Sequence, residues 1–424
     1  MDVVLLLPVV VTVGGAYLLF KLRFFCFLHP IRTARALFSS LNDSSSRRSL
    51  ALALAGTLGV GNIVGVAVGI LIGGAGSVFW LLVSAPFAII LKYSESTVAA
   101  DYSDGEHGSM PLVLGKSFDR LGGLLSLVYA ILCLILSFVM GAALQSASAV
   151  ECAEEIIGLD KKILAVFFTF LVILGVVGGI KKIEKITAIV IPVSTIVYIF
   201  LAVVTILCNL PKLPSVLSLI VRDAFSFRSA VGGVGAFCFV SKLREGYARG
   251  ILSNEAGAGT SSMAHSRSAA APCRVGLCGI CEVIFDTLIL CTLTALAILV
   301  CSPDLKSYSH GVALISDTVG SVLGCASSVL LLLCILVFAY STVICWYYYG
   351  VECWKFIFNS KGYVFFLFYI VSVFVGCVAP LHSFVYMSDF ILLCLCFISV
   401  SAVIKNSDRV LHLSEKDGLI TPRP

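Results

Sequence analysis

Apolar runs about 20 residues long, the length a helix needs to cross the hydrocarbon core of a bilayer, recur along this chain and leave room for little else. They fall at 3–20, 50–72, 76–99, 121–150, 163–179, 186–208, 229–250, 275–301, 320–349, 363–380 and 383–404. The seventh is the weakest, because its uninterrupted apolar stretch covers only 229–241. A chain of 424 residues that is 59% hydrophobic and 12% charged cannot hide that much apolar surface in a soluble core, since a globule still needs a polar skin. The expected class is an all-α polytopic membrane protein with about eleven transmembrane helices.

Charge placement gives these spans a direction. Lys21, Arg23, Arg32 and Arg35 follow the first run and nothing basic precedes it, the reverse of a cleavable secretory signal. It reads as a first span with its N-terminus outside. On that orientation 23 of the 29 Lys and Arg lie in inner loops, toward the inner ends of spans or in the C-terminal tail, where positive charge is retained. Only Lys161, Lys162, Lys212, Arg222, Arg228 and Lys306 fall outside. Omitting the seventh run would strand Lys242, Arg244, Arg249, Arg267 and Arg274 on the outer face, so that run is read as crossing. The polar stretch 405–424 reads as a short cytoplasmic tail. With no eukaryotic targeting or glycosylation pattern, the expected location is a bacterial inner (plasma) membrane.

Seventeen cysteines would suit a disulfide scaffold if they clustered in polar loops. Instead Cys133, Cys208, Cys291, Cys334, Cys394 and Cys396 sit inside apolar runs, where a thiol is a small hydrophobe. Cys278 and Cys281 form a CxxC without a second pair or a nearby His, so packing is the expected role.

Glycine marks where helices break. The second run carries Gly56, Gly59, Gly61, Gly65 and Gly69, with Thr57 and Asn62 among them. An Asn at mid-membrane depth is costly unless it faces protein or a water-filled cavity. The seventh run repeats the theme with Gly232, Gly233 and Gly235. Runs two and seven are five apart, so each opens a block of five, and an odd block enters the membrane from opposite faces. Paired interruptions in an inverted repeat point to a transporter binding site. Close helix packing on small residues is the alternative, and it suffices for Gly14 and Gly15 or Gly122 and Gly123. Unwinding frees N–H groups suited to a carboxylate and carbonyls suited to a small cation.

Polar residues inside other spans narrow the site. Gln145 lies on the fourth run, and Ser341 and Thr342 lie on the ninth. Mid-span hydroxyls commonly bond back one turn, but a pair beside an unwound helix can complete an oxygen shell for a hard cation such as sodium. Ser253, Asn254 and Glu255 read as a helix start, an N-cap followed by an acid. Glu282 and Asp286, four apart near the cytoplasmic end of the eighth run, are expected to pair with Lys or Arg; a proton relay is the rarer alternative.

These strings resemble the alanine or glycine:cation symporter family, also called the sodium:alanine symporters. The resemblance is carried by the GxGNIxGVA stretch around Gly59, Gly61 and Asn62, and by Gly73, Gly74, Gly76, Phe79 and Trp80 after it. RGILSNEAGAG (249–259), FDTLILCTLTALAIL (285–299) and WYYYGVECW (346–354) extend it in order. It implies a leucine-transporter-type fold, with one extra N-terminal span before five plus five inverted repeats. Expected boundaries are 1–49 for the first span and basic loop, 50–208 and 209–404 for the repeats, and 405–424 for the tail. The resemblance also implies uptake of alanine, glycine or a similar small amino acid, driven by sodium or protons, with no bound cofactor. By position, the N–H groups of Val60 and Gly61 would meet the carboxylate, with Thr57, Gly59, Asn62, Gln145, Gly232, Gly233 and Gly235 lining the substrate site. Carbonyls of Ala55 and Leu58, with Ser341 and Thr342, would hold sodium. The chain departs from the family pattern at Val60, where Thr is usual, and at Ala75, Ala142 and Ala147.

Other function classes fare worse. No HExxH, GxSxG or nucleotide-binding loop is present, which argues against a membrane enzyme or a primary pump. Expected partners are a small amino acid, a coupling cation and the lipid bilayer, with no nucleic acid. A transporter-like sensor, or a carrier of another small amine or acid, is the remaining alternative.

Overall fold

The computed structural model describes residues 6–103, 109–226, 234–265, 268, 270–301, 304–360 and 362–422. Among the described residues every regular element is a helix and there is no strand. Gly76–Tyr102, Asp119–Ile157, Ile180–Cys208, Pro272–Val300, Ala326–Phe358 and His382–Lys405 are each long and apolar enough to cross a membrane. Ser46–Thr57 and Val60–Gly73 pass the same test only together, bent by 60° at their junction. The first, fifth, seventh and tenth runs fall on shorter or more polar helices: Leu6–Lys21, Lys161–Val176, Val234–Asn254 and Tyr363–Val378.

Polarity runs inside out relative to a soluble protein. Along Ile180–Cys208, the residues Ile189, Val193, Ile196 and Phe200 recur every three or four positions on one face and are 59–68% exposed. Such a stripe suits hydrocarbon, while Lys92, Glu95, Glu282 and Asp286 are wholly enclosed. The third segment, Gly76–Tyr102, is the central post and packs against the first, seventh and eighth. Small residues allow this: a Cβ on Gly15 would sit 2.6 Å from Phe87 Cβ, and one on Gly279 would sit 2.8 Å from the Lys92 carbonyl oxygen. Gly123, by contrast, faces open space. Cys278 and Cys281 pack with Leu50, Leu37, Leu41 and Leu54, as small hydrophobes do.

Two elements go beyond the sequence reading. A helix at Gly311–Leu323 stands between the eighth and ninth segments. The polar tail carries a docked helix, Ser407–Lys416. Its Ser407, Val410 and Ser414 form one buried face, with Ser414 Oγ 2.7 Å from the Tyr93 hydroxyl, and Arg23 pairs with Glu415 at 2.9 Å. Three small side chains at helical spacing explain the docking; bulk apolarity does not reveal them.

Candidate functional site

The second segment breaks where the glycines accumulate. Its first half ends at Thr57, Gly59 is extended, a single turn covers Val60–Asn62, and the helix resumes at Val64. The last four carbonyls of a helix lack partners within it. Here the ninth segment supplies two of them: Thr342 Oγ1 donates to the Ala55 carbonyl at 2.9 Å, and Trp346 Nε1 donates to that of Gly56 at 3.3 Å. Cys345 Sγ adds a 3.2 Å contact to the Leu52 carbonyl. Residues 342, 345 and 346 share one helix face by their spacing. Across the break, the Val60 N–H donates to Gln145 Oε1 at 3.0 Å. Gly59 makes this convergence possible, because a Cβ there would lie 2.7 Å from Gln145 Oε1 and 2.9 Å from Thr342 Oγ1.

The other candidate residues divide. Ser341 donates back to the carbonyls of Val337 and Phe338 at 2.9 Å, and Thr57 donates back to Ala53 at 3.2 Å. Leu58 is buried and its N–H closes on Leu54 at 2.6 Å. A Cβ on Gly61 would lie 3.7 Å from Ser253 Cα, so the turn abuts the seventh segment. Gly232 and Gly233 lie outside the described residues.

Asn62 leads to a second cluster that the sequence reading did not assemble. Its amide donates to Asp286 Oδ1. Ser253 Oγ reaches both oxygens of Asp286, at 3.0 and 2.8 Å, and Thr287 Oγ1 donates to Oδ2 at 2.9 Å. Asn254 in turn holds Thr287 at 2.9 Å. Asn62 Oδ1, also buried, has no partner among the described residues. The expectation that Asp286 pairs with Lys or Arg is corrected: its described hydrogen-bond partners are all neutral. Glu282 does pair, with Lys92 at 3.3 Å.

The seventh segment needs two corrections. Its described part is an unbroken helix from Val234 to Asn254, so Gly235 sits in a first turn and not in a gap. The interruption lies at 255–260, ahead of a short helix Ser261–His265. Asn254 therefore ends a helix and does not start one, and its Oδ1 accepts from the Ala256 N–H at 2.9 Å. Left-handed backbone at Glu255 (φ 55°), Gly257 (φ 83°) and Gly259 (φ 78°) stops the helix.

Two wider π-helical turns aim site residues. Ser137–Leu144 immediately precedes Gln145, and Ile284–Cys291 contains Asp286; single-turn bulges of this kind gather at functional positions. Toward the other end of the broken segment, Arg249 binds Asp389 at 2.6 Å and approaches Glu245 at 3.7 Å. Arg249 and Glu245 line a cavity of about 260 Å³ with Val68, Leu71, His310 and Tyr386. Lys92 and Glu95, three apart within an apolar run, were the visible signal for buried charge, since ionisable residues inside a span mark function by default.

The sodium:alanine symporter family model matches residues 2–416. The uncharacterised transporter YflA of Bacillus subtilis (strain 168) is 29% identical over 388 residues, covering 87% of this chain and 81% of its own. The sodium/alanine symporter AgcS of Methanococcus maripaludis is 29% identical over 343 residues, covering 76% and 73%. Among solved structures, MhsT in complex with L-phenylalanine superimposes with a TM-score of 0.54 at 14% identity, over 88% of this chain and 89% of that one. That likeness concerns the fold, a leucine-transporter-type bundle. The family and its neighbours are transporters and not enzymes, and this chain belongs to the sodium:alanine symporter family.

Proposed function

We propose that this protein carries a small neutral amino acid such as alanine or glycine across the cell membrane together with sodium or a proton. One arrangement supports the reading: a helix interrupted at 58–59 offers an N–H at Val60 and a carbonyl at Ala55, and Gln145 and Thr342 reach both through the space Gly59 leaves open.

In this reading the substrate carboxylate takes the Val60 and Gly61 N–H groups once Gln145 releases Val60. Thr57, Gly59, Asn62 and Gln145 line the rest. Sodium sits against the Ala55 and Leu58 carbonyls and the Thr342 hydroxyl; Ser341 donates to its own helix and offers a lone pair. Asp286, held through Asn62, supplies a nearby negative charge. Ser253, at the end of the seventh helix, takes the place that the sequence reading gave to Gly235. The relative AgcS is named a sodium/alanine symporter, which supports sodium coupling and a small neutral substrate.

The test is uptake of radiolabelled alanine and glycine into proteoliposomes with and without an inward sodium gradient. Uptake indifferent to both sodium and proton gradients would sink the symport reading.

A further inference from the structure

Three carboxyl groups and one ammonium are sealed together beside the interrupted seventh segment. Glu95 and Lys92 come from the third segment, Glu282 from the eighth, and Glu255 from the interruption itself; their exposures are 0, 0, 0 and 2%. Lys92 Nζ stands 3.3 Å from Glu282 Oε2 and 3.8 Å from Glu95 Oε1. His265 Nε2 lies 2.7 Å from Glu282 Oε1, and Ser261 donates to Glu282 Oε2 at 2.6 Å. Other titratable groups facing this cluster are Asp286, Cys278 and Cys281 on the eighth segment, Tyr129 and Cys133 on the fourth, Cys345 and Tyr349 on the ninth and Cys396 on the eleventh.

Full ionisation of its carboxyls and ammonium would leave the described cluster with two net negative charges in an enclosed interior. Uncompensated buried charge is expensive enough that groups take up protons instead. Two atoms stand ready for that. Glu95 Oε1 and His265 Nδ1 are buried without a hydrogen-bond partner among the described residues. A route to water is adjacent: Ala264, the residue before His265, lines a cavity of about 720 Å³ with Arg48, Lys181, Glu184 and Lys185.

The same carboxylate anchors the unwound chain. Glu95 Oε2 accepts from the N–H groups of Gly257 and Gly259 at 3.2 and 3.1 Å, and Tyr129 donates to the Ala258 carbonyl at 2.7 Å. A neutral carboxyl accepts more weakly than a carboxylate.

We propose that the Glu95–Lys92–Glu282–His265 cluster is a proton-binding site, filled and emptied through the cavity at Arg48 and Lys185, and that its occupancy sets how firmly the 255–260 segment is held. Only an O–H or N–H bond forms or breaks; the proton comes from water in the cavity and returns to it. The idea rests on the transporter reading for its consequence, a transport rate set by pH on one side of the membrane.

The test uses full-length protein in oriented proteoliposomes, with radiolabelled alanine as probe, a fixed sodium gradient and pH stepped separately on each side. Uptake should titrate with pH on the side of the Arg48–Lys185 cavity, by up to about tenfold per pH unit for one proton. Glu95→Gln should abolish that step and His265→Gln should move its midpoint. Both variants keeping the wild-type profile, or a step that follows the opposite side, overturns the proposal. Infrared spectra of the purified protein give a readout independent of transport. A protonated-carboxyl C=O band at neutral pH should vanish in Glu95→Gln or Glu282→Gln, and its absence from the wild type, or its loss only in Glu255→Gln, overturns the proposal. That band without uptake of either alanine or glycine would count against the symport reading and leave the proton site standing.

Discussion

Val60 and Gln145 lie 85 positions apart, yet the backbone N–H of one donates to the side-chain oxygen of the other at 3.0 Å. In the proposed reading the substrate carboxylate would take over the Val60 N–H that Gln145 holds here. A buried N–H left without an acceptor costs about 1–3 kcal/mol, so this exchange keeps the broken helix satisfied in both states.

Gly59→Ala tests that convergence directly. Its methyl would lie 2.7 Å from Gln145 Oε1 and 2.9 Å from Thr342 Oγ1, closer than Cβ contacts allow. Overpacking of this kind costs about 1–3 kcal/mol. Alanine uptake should fall at least tenfold while the protein still purifies as a monodisperse species; wild-type kinetics would mean that Gln145 and Thr342 do not act there.

Thr342→Ala removes the hydroxyl from the Ala55 carbonyl and one oxygen from the proposed sodium shell. The loss of one such contact, about 1–1.5 kcal/mol, should raise the sodium concentration for half-maximal uptake roughly tenfold. Thr342→Ser should restore most of it. The measurement is uptake against sodium at saturating alanine.

Asn62→Leu takes one donor from the enclosed Asp286 and leaves it the hydroxyls of Ser253 and Thr287. A loss of about 1–3 kcal/mol should lower the thermal midpoint by a few degrees, and the KM for alanine should rise. If KM stays put while stability drops, Asn62 is structural only.

Arg249→Met strands Asp389 without its 2.6 Å partner. Breaking one side of a buried pair costs about 3–5 kcal/mol, whereas replacing both with apolar groups is often neutral. Arg249→Met should therefore melt well below the double variant Arg249→Met/Asp389→Leu in detergent. Equal midpoints would show that the pair is not a tight one.

Sequence showed the broken helix clearly because its signal is local: glycines, an Asn and a Thr within seven positions. It also pointed to Thr342 as one of two adjacent hydroxyls beside the break, of which Ser341 bonds back to its own helix and Thr342 reaches Ala55. For the second interruption two glycine clusters competed, and of the first only Gly235 falls among the described residues, within a helix. Gly232, Gly233 and Gly235 sit in the more apolar stretch, while the helix in fact stops at Asn254, where left-handed backbone at Gly257 and Gly259 forbids continuation. Asp286 escaped assignment for a different reason. Its partners Asn62, Ser253 and Thr287 come from three segments, and only the tertiary arrangement decides whether an acid meets a cation or a set of neutral donors.

The π-helical turn at Ser137–Leu144 acts as a phase adjuster. Each residue added to a helix rotates every later side chain by about 100°, so this wide turn sets the compass bearing of Gln145 and of every side chain after it. A one-residue deletion that the wide turn did not absorb would swing the carboxamide about a quarter-turn off Val60. A one-residue insertion in the next turn would not restore it, because the correction would fall downstream of Gln145. The aim of that side chain is therefore stored upstream, in the count of residues before it.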